Sequence, residues 1–313
     1  MESVTIVDVS PRDGFQSVVP FIPTVRKIEI IQGLVDAGLR RIEVGSFVSR
    51  TALPQMRDIE ELLAGMSSRT DAELSVLVPN FKGAELAMKA GNENLVTVFS
   101  ASETHNANNV RKTVQDSLVE TRRILEELQP KGRIRINIAT AFDCPFEGRM
   151  PLERVLPLVE QVMPWAGNAE IALCDTTGRA LPVDVAVAFD RCIALFGPRN
   201  WAYHAHDTYG LGTATNWTAY EHGVRIFDAS AAGLGGCPFA PGATGNVATE
   251  DTVFLFENSG VATGVDLDRL LSVATSVTQI EGGAVGGRVR AAMEARSRLG
   301  LSGGAPAKVS ANG

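Results

Sequence analysis

Glu170-Ile-Ala-Leu-Cys-Asp-Thr-Thr-Gly-Arg-Ala-Leu-Pro-Val-Asp-Val-Ala-Val-Ala-Phe-Asp-Arg-Cys-Ile-Ala-Leu-Phe196 decides the fold. A short run, Glu170–Asp175, reads as a buried strand. A turn at Thr176-Thr-Gly178 follows, and Val183–Phe196 carries the longer pattern of a helix. The same unit recurs on both sides. Before it come Val4–Ser10 with Thr24–Ala37, Arg41–Phe47 with Gln55–Ala64, Glu73–Val78 with Lys82–Ala90, Leu95–Ser100 with Val110–Leu128, and Ile134–Phe142 with Leu152–Met163. After it come Ala202–Asp207 with Thr213–Gly223 and Ile226–Ala231 with Val247–Asn258. In the first helix Val25, Ile28, Ile31, Leu34 and Val35 hold helical spacing, with Thr24 read as the N-cap and Gly38 as the stop.

Strands that alternate with helices make a parallel sheet. Eight such units predict an α/β fold, a closed (β/α)8 TIM barrel. An open doubly wound sheet is the competitor, but no Gly-x-Gly-x-x-Gly follows the first strand. Leu267–Ile280 and Arg288–Leu299 read as extra C-terminal helices around the glycine-rich stretch Glu281–Gly287, which lacks the Lys-Ser/Thr ending of a phosphate-binding loop. Residues 1–300 are expected to form one catalytic domain, and 301–313 a disordered tail.

The chain has 313 residues, 29 Lys plus Arg and 36 Asp plus Glu, a net charge of −7. That balance argues against a nucleic-acid partner, which needs a basic stripe. No apolar stretch approaches the roughly 18 residues of a membrane helix, and no secretory leader precedes Val4. A cytoplasmic protein without a membrane partner is expected. The four cysteines, Cys144, Cys174, Cys192 and Cys237, form no Cys-x-x-Cys pair, so neither a cysteine zinc site nor a disulfide scaffold is expected.

Barrel active sites lie where the strands end. The first strand ends in Ser10-Pro-Arg-Asp-Gly-Phe-Gln16, and the second carries Glu43. The sixth ends at Asp175, and the seventh is Tyr203-His-Ala-His-Asp207. His204 and His206, at i and i+2, point to one face and so favour a divalent metal site over two structural histidines. Asp13 is the carboxylate best placed to join them, although Asp before Gly is also a common turn residue. Arg12 is suited to an enolate oxygen or to a salt bridge with Glu43, and the two roles are compatible. Glu43 and Asp175 read as isolated acids facing inward, Glu43 as a counter-ion or catalytic group and Asp175 as a partner of an imidazole or a proton-transfer group. Gly233–Asn246 has five glycines and two prolines around Cys237, the pattern of a loop that closes over a ligand and carries a proton donor or nucleophile. His105 follows the fourth strand in a polar loop, where a histidine is either solvated or touches substrate. His222 reads as a helix-end cap.

Gly233-Leu-Gly-Gly-Cys-Pro-Phe-Ala-Pro-Gly-Ala-Thr-Gly-Asn246 resembles the signature loop of the 3-hydroxy-3-methylglutaryl-CoA lyase family. Arg12-Asp13-Gly14, Glu43 with Ser46-Phe-Val48, Leu53-Pro-Gln-Met56, Cys144-Pro-Phe-Glu-Gly148 and His204-Ala-His206 support the resemblance, which covers about Val4 to Leu271. The resemblance implies Asp13, His204, His206 and Asn246 as ligands of Mg2+ or Mn2+. It also implies Arg12 on the enolate oxygen, Cys237 as the acid, and Glu43 and Asp175 as acids near the metal. Arg12, Gln16, Ser46 and His105 would meet an acyl-CoA substrate, and the resemblance suggests a homodimer. The implied reaction is cleavage of a 3-hydroxyacyl-CoA to acetyl-CoA and a 3-oxo acid such as acetoacetate by a carbon–carbon lyase. The competing readings are a Claisen-condensing synthase of the isopropylmalate type, a catalytically silent metal-binding barrel, and a metal hydrolase. Two stretches depart from the family pattern: Ser17-Val-Val-Pro-Phe21, and Ala139-Thr-Ala-Phe-Asp-Cys144 where relatives more often read Val-Ser-Cys-x-Gly-Cys. Both lie near the expected acyl group, so a related 3-hydroxy-3-alkylglutaryl-CoA is an alternative substrate.

Overall fold

A computed structural model describes residues 2–236, 245–283 and 286–300. The eight expected strands form one closed parallel barrel. They are β1 (Thr5–Asp8), β2 (Arg41–Ser46), β3 (Glu73–Leu77), β4 (Leu95–Ser100), β5 (Ile134–Ala139), β8 (Glu170–Asp175), β9 (Trp201–Ala205) and β10 (Ile226–Ala229). Their order around the barrel is β1-β10-β9-β8-β5-β4-β3-β2, with β2 closing onto β1. The short antiparallel pair β6 (Asp143–Cys144) and β7 (Gly148–Arg149) follows β5 at the barrel mouth.

The wall helices are α1 (Thr24–Asp36), α2 (Ile59–Gly65), α3 (Phe81–Lys89), α5 (Val114–Arg123), α6 (Leu152–Ala166), α7 (Pro182–Phe196), α8 (Gly212–Glu221) and α9 (Thr249–Asn258). The C-terminal helices α10 (Leu267–Val277) and α11 (Arg288–Arg298) are present as expected. α1 shows how the sequence sets an element. It buries Ile30, Ile31, Leu34 and Val35 on one stripe. Gly38 ends it at φ +100°, where a Cβ would strike the carbonyl of Gly264, so a side chain has neither the backbone angle nor the room. The N-cap residue is Pro23 rather than the expected Thr24, whose hydroxyl instead donates to Asp58 at 2.9 Å.

One helix is additional and the next starts late. α4 (Glu103–Val110) precedes the expected Val110–Leu128 and ends at Arg111 in the left-handed conformation, φ +58°, so the expected helix begins at Val114. Thr113 then caps α5, accepting from Asp116 N, and a π-turn over Ile124–Leu128 continues it. The chain bends at Arg111 because a threonine two residues later offers a fresh N-cap.

Alternation along the strands separates two environments. Ile42, Val44, Ile136, Ile138, Ile171, Leu173, Trp201, Tyr203 and Phe227 point out to the helices and join the main core. Inside the barrel the apolar filling is a small cluster of Val7, Val9, Ala172, Cys174, Ala202 and Ile226. Much of the remaining interior is charged: Arg135, Asp228, Glu43 and Glu170 are all buried.

Candidate active site and metal centre

The mouth of the barrel is organised by the five-residue π-turn Ser10–Gly14 after β1. The backbone N–H groups of Arg12, Asp13 and Gly14 all donate to the Val9 carbonyl, at 3.1, 2.8 and 3.3 Å. Pro11 has no N–H to place. The turn sets Arg12 and Asp13 side by side, both buried.

Arg12 meets Glu43 of β2 side-on, Nε to Oε1 at 2.7 Å and Nη2 to Oε2 at 3.1 Å, and its Nη1 donates to Asp13. Glu43 is thus the counter-ion of Arg12, each of its oxygens accepting from the guanidinium. Asp13 also accepts from Gln16 Nε2 at 2.7 Å and from Asn246 Nδ2 at 2.8 Å.

His204 lies on β9 and His206 just past its end, their ring centroids 5.2 Å apart. His206 forms an isolated antiparallel bridge with Asn246, flanked by Asp207 N to Gly245 O at 3.0 Å and Val247 N to Ala205 O at 3.1 Å. The far end of the glycine-rich segment is thereby fastened to the end of β9. Gly245 has φ +104°, and a Cβ there would collide with the carbonyls of Gly233 and Gly235. Ligand atoms of Asp13, His204 and His206 lie within 4.8 Å of one another, and all three residues are buried.

The donor set fits a divalent ion. Two imidazoles, one carboxylate and one amide oxygen suit Mg2+, Mn2+ or a first-row neighbour. Asn246 gives its N–H2 to Asp13 and the Leu234 carbonyl. Its Oδ1 is buried without a hydrogen-bond partner among the described residues. A buried amide oxygen is costly unless a donor or a cation meets it. Asp13 can serve as an anionic ligand: burial opposes its ionisation, but Arg12 and then His206 and His204 hold its carboxyl well below the usual carboxylate range.

Other expected residues take different places. Asp175 does not face inward with Glu43. By the alternation of β8 it belongs to the outer set, and its oxygens cap the following turn, accepting from Arg179 N at 3.1 Å and Ala180 N at 3.0 Å. It remains electrostatically close to His206, and burial pushes its carboxyl up. His105 is not on a polar loop. It sits in the first turn of α4, buried, with Nδ1 2.6 Å from Ser100 Oγ, and burial depresses it to about 4. The residue before Thr104 in that turn, Glu103, is what a solvated-loop reading overlooked: Ser102 followed by Glu103 is an N-terminal helix signal. Ser46 is buried at the end of β2, its hydroxyl unpartnered among the described residues. His222 is the C-cap of α8 and bonds Asp190 at 2.7 Å. Cys237 lies outside the described residues; Cys144, Cys174 and Cys192 are free and buried.

Several buried acids escaped the sequence reading, and two of them frame the site. Asp228 of β10 lies 3.1 Å from His204 Nδ1 and also pairs with Arg135. Burial raises its carboxyl, but Arg135 and His204 outweigh that and hold it at about 2. Asp8 of β1 faces outward and accepts from Ala231 N at 3.1 Å and Thr249 Oγ1 at 2.7 Å, tying β1 to the start of α9. Each is a lone acid in an apolar strand, the same signal that drew attention to Glu43.

The HMGL-like family profile matches residues 3–277. The chain belongs to the HMGL-like family. The (R)-citramalyl-CoA lyase of Chloroflexus aurantiacus is 39% identical to it, covering 88% of this chain and 90% of that protein. The hydroxymethylglutaryl-CoA lyase of Bacillus subtilis is also 39% identical, covering 87% and 91%. Among solved structures, a Bacillus subtilis HMG-CoA lyase superposes with TM-score 0.89 at 36% identity over 94% of this chain and 99% of that one. An HMG-CoA lyase from Acenitobacter baumannii, in complex with coenzyme A and 3-methylmalate, superposes at 0.87 with 41% identity over 93% and 95%. As an HMGL-like protein the chain is a carbon–carbon lyase on the TIM-barrel frame expected. In the segment 139–144, Asp143 is buried, accepts from Thr177 Oγ1 at 3.0 Å and lies 3.6 Å from the half-exposed Arg179 guanidinium.

Proposed function

We propose that this chain cleaves a 3-hydroxy-3-methylglutaryl-CoA-like 3-hydroxyacyl-CoA into acetyl-CoA and a 3-oxo acid by a retro-Claisen step. The observation that carries the reading is the convergence of Asp13, His204, His206 and Asn246 beside Arg12 at the barrel mouth. Those four residues would hold Mg2+ or Mn2+, which when bound would acidify the tertiary hydroxyl of the substrate.

The protein groups supply the rest. A solvent water carries off the hydroxyl proton, and Asp175, with its oxygens bound by the N–H groups of Arg179 and Ala180, acts beside His206 rather than on the hydroxyl itself. As the C–C bond breaks, its electrons move into the thioester, and the hydroxyl carbon becomes the ketone of the 3-oxo acid. Arg12 uses two of its five N–H groups on Glu43 and one on Asp13, leaving two for the developing enolate oxygen. Cys237 then gives its proton to the enolate carbon, releasing acetyl-CoA. Glu43 holds the guanidinium plane in register, and Gln16 orients Asp13. Ser46 and His105 line the acyl side of the site.

The acyl group is chosen at the rim. The identity to a citramalyl-CoA lyase equals that to a hydroxymethylglutaryl-CoA lyase, so both substrates belong in the assay. No described helix is long and apolar enough to cross a membrane. We assign the chain to the cytoplasm, with residues 1–300 as one catalytic domain and a homodimer as its assembly.

The test is incubation with 3-hydroxy-3-methylglutaryl-CoA or (R)-citramalyl-CoA and Mg2+ or Mn2+, following acetyl-CoA. Cleavage that disappears in Asp13→Ala supports the reading. A metal-loaded protein that cleaves neither thioester sinks it. Consumption of acetyl-CoA with a 2-oxo acid would point instead to a condensing synthase.

A further inference from the structure

A run of alternating charge crosses the barrel interior and ends at a metal ligand. At the N-terminal ends of the strands, Arg41 Nη2 meets Glu170 Oε2 at 2.8 Å and Arg133 Nη1 meets Glu170 Oε1 at 3.2 Å. Glu170, fully buried, then binds Arg135 Nε at 3.0 Å. Arg135 Nη1 reaches Asp228 Oδ1, and Asp228 Oδ2 faces His204 Nδ1 at 3.1 Å. Arg135 and Asp228 are 3% and 1% exposed, so neither borrows its partner from water.

Asp228 divides its two oxygens between two partners. The strand register places Asp228 directly beside His204, β10 against β9, so the contact is built into the sheet. A buried ion pair of Arg135 and Asp228 is weak evidence for stability, since apolar replacements of the same volume often do as well. What an apolar pair cannot do is accept from Nδ1–H of an imidazole. That bond fixes the ring plane and leaves Nε2 as the remaining nitrogen, and such outer partners commonly set ligand orientation.

We propose that Asp228, held by Arg135, is a positioning residue that locks the His204 ring in the Nδ1–H tautomer with Nε2 presented to the divalent ion. The inference rests on the metal-site reading above but not on any particular acyl-CoA. Its readouts are therefore taken without substrate: the affinity of the full-length protein for Mn2+ alone, by electron paramagnetic resonance, and the tautomer of His204, by 15N NMR of the metal-free protein.

The main variant is Arg135→Met with Asp228→Leu, which removes the pair without stranding a charge. It is expected to bind Mn2+ about 10- to 100-fold more weakly and to lose the single His204 tautomer. Asp228→Asn keeps an acceptor toward Nδ1–H and is expected to lose less. Arg41→Met, at the far end of the run, is the control for general loosening and should leave Mn2+ affinity unchanged. Wild-type affinity and tautomer in a folded double variant would overturn the proposal, as would an equal loss in Arg41→Met. If the double variant does not fold, Asp228→Asn and Asp228→Ser decide: a graded loss supports the proposal and no change in either overturns it. A protein with these responses that cleaves no acyl-CoA would refute the lyase reading and leave the positioning role standing.

Discussion

Asn246 Nδ2 donates to Asp13 Oδ2 at 2.8 Å, joining residues 233 positions apart. The bond does two things at once. It orients the carboxylate, and it turns the amide oxygen to the opposite side, where no described group meets it. Asn246→Ala should therefore weaken Mn2+ binding by about 10- to 100-fold while leaving the fold intact. Isothermal titration with Mn2+ and a urea melt of the same sample check both halves. Undiminished affinity would remove Asn246 from the ligand set.

Arg12 and Glu43 form a buried side-on pair, so removing one partner strands the other. Arg12→Met should destabilise by about 3–5 kcal/mol. Arg12→Met with Glu43→Leu should recover most of that loss and none of the lyase activity. Urea midpoints alongside acetyl-CoA release separate the two effects. Activity returning with stability would mean that Arg12 serves only the fold.

Gly245→Ala tests the clasp between the glycine-rich segment and β9. A Cβ at φ +104° would push against the carbonyls of Gly233 and Gly235 and displace the neighbouring Asn246. Metal affinity should fall with little change in far-ultraviolet circular dichroism, since no helix or strand is altered. An unaffected Kd for Mn2+ would show that the segment accommodates the methyl group.

Two buried groups set opposite pH slopes. Burial pushes the Glu250 carboxyl from 4.5 up to about 8, so its folded form holds a proton that the unfolded chain releases. Its stability contribution is complete below pH 4.5 and is lost as pH rises through 8. Glu250→Gln should flatten the melting temperature across that window. Parallel pH curves for the two proteins would contradict the assignment.

His105 runs the other way. Burial depresses it from 6.5 to about 4, so the folded state excludes a proton that the unfolded chain binds. That contribution is present above pH 6.5 and is lost as pH falls through 4, at most about 3 kcal/mol. His105→Gln should soften acid unfolding in that range. It should also leave kcat/KM without a lost inflection near pH 6.5, because a neutral His105 does not titrate there in the folded enzyme.

The sequence carried the barrel because its strands repeat with one period and end in one kind of turn. Glu170–Asp175 was read to the residue. α4 was missed because Glu103–Asn109 has the composition of a polar loop, and the start at Val114 because Val110–Leu128 keeps helical composition, with only the Thr113 cap marking the true beginning. Asp13, His204 and His206 were legible because two histidines two apart on a strand share a face. Asp228 was not, although it too is a lone acid in a strand. Its meaning depends on β10 lying beside β9, a neighbour relation that no local pattern states. Asp175 was misplaced for a similar reason: the parity of a strand is certain only once its inner face is known.

The charges inside the barrel have a consequence for how such a protein can change. Each interior ion is satisfied by another ion, so altering Arg135, Asp228, Glu43 or Arg12 alone strands a partner away from water. The ligand end of the barrel can move only by paired substitutions. Arg179 is half exposed and loses little when altered, and among the described residues the Asp143 carboxylate meets Thr177 and Arg179. Variation therefore has a cheap route through the rim and a costly one through the centre.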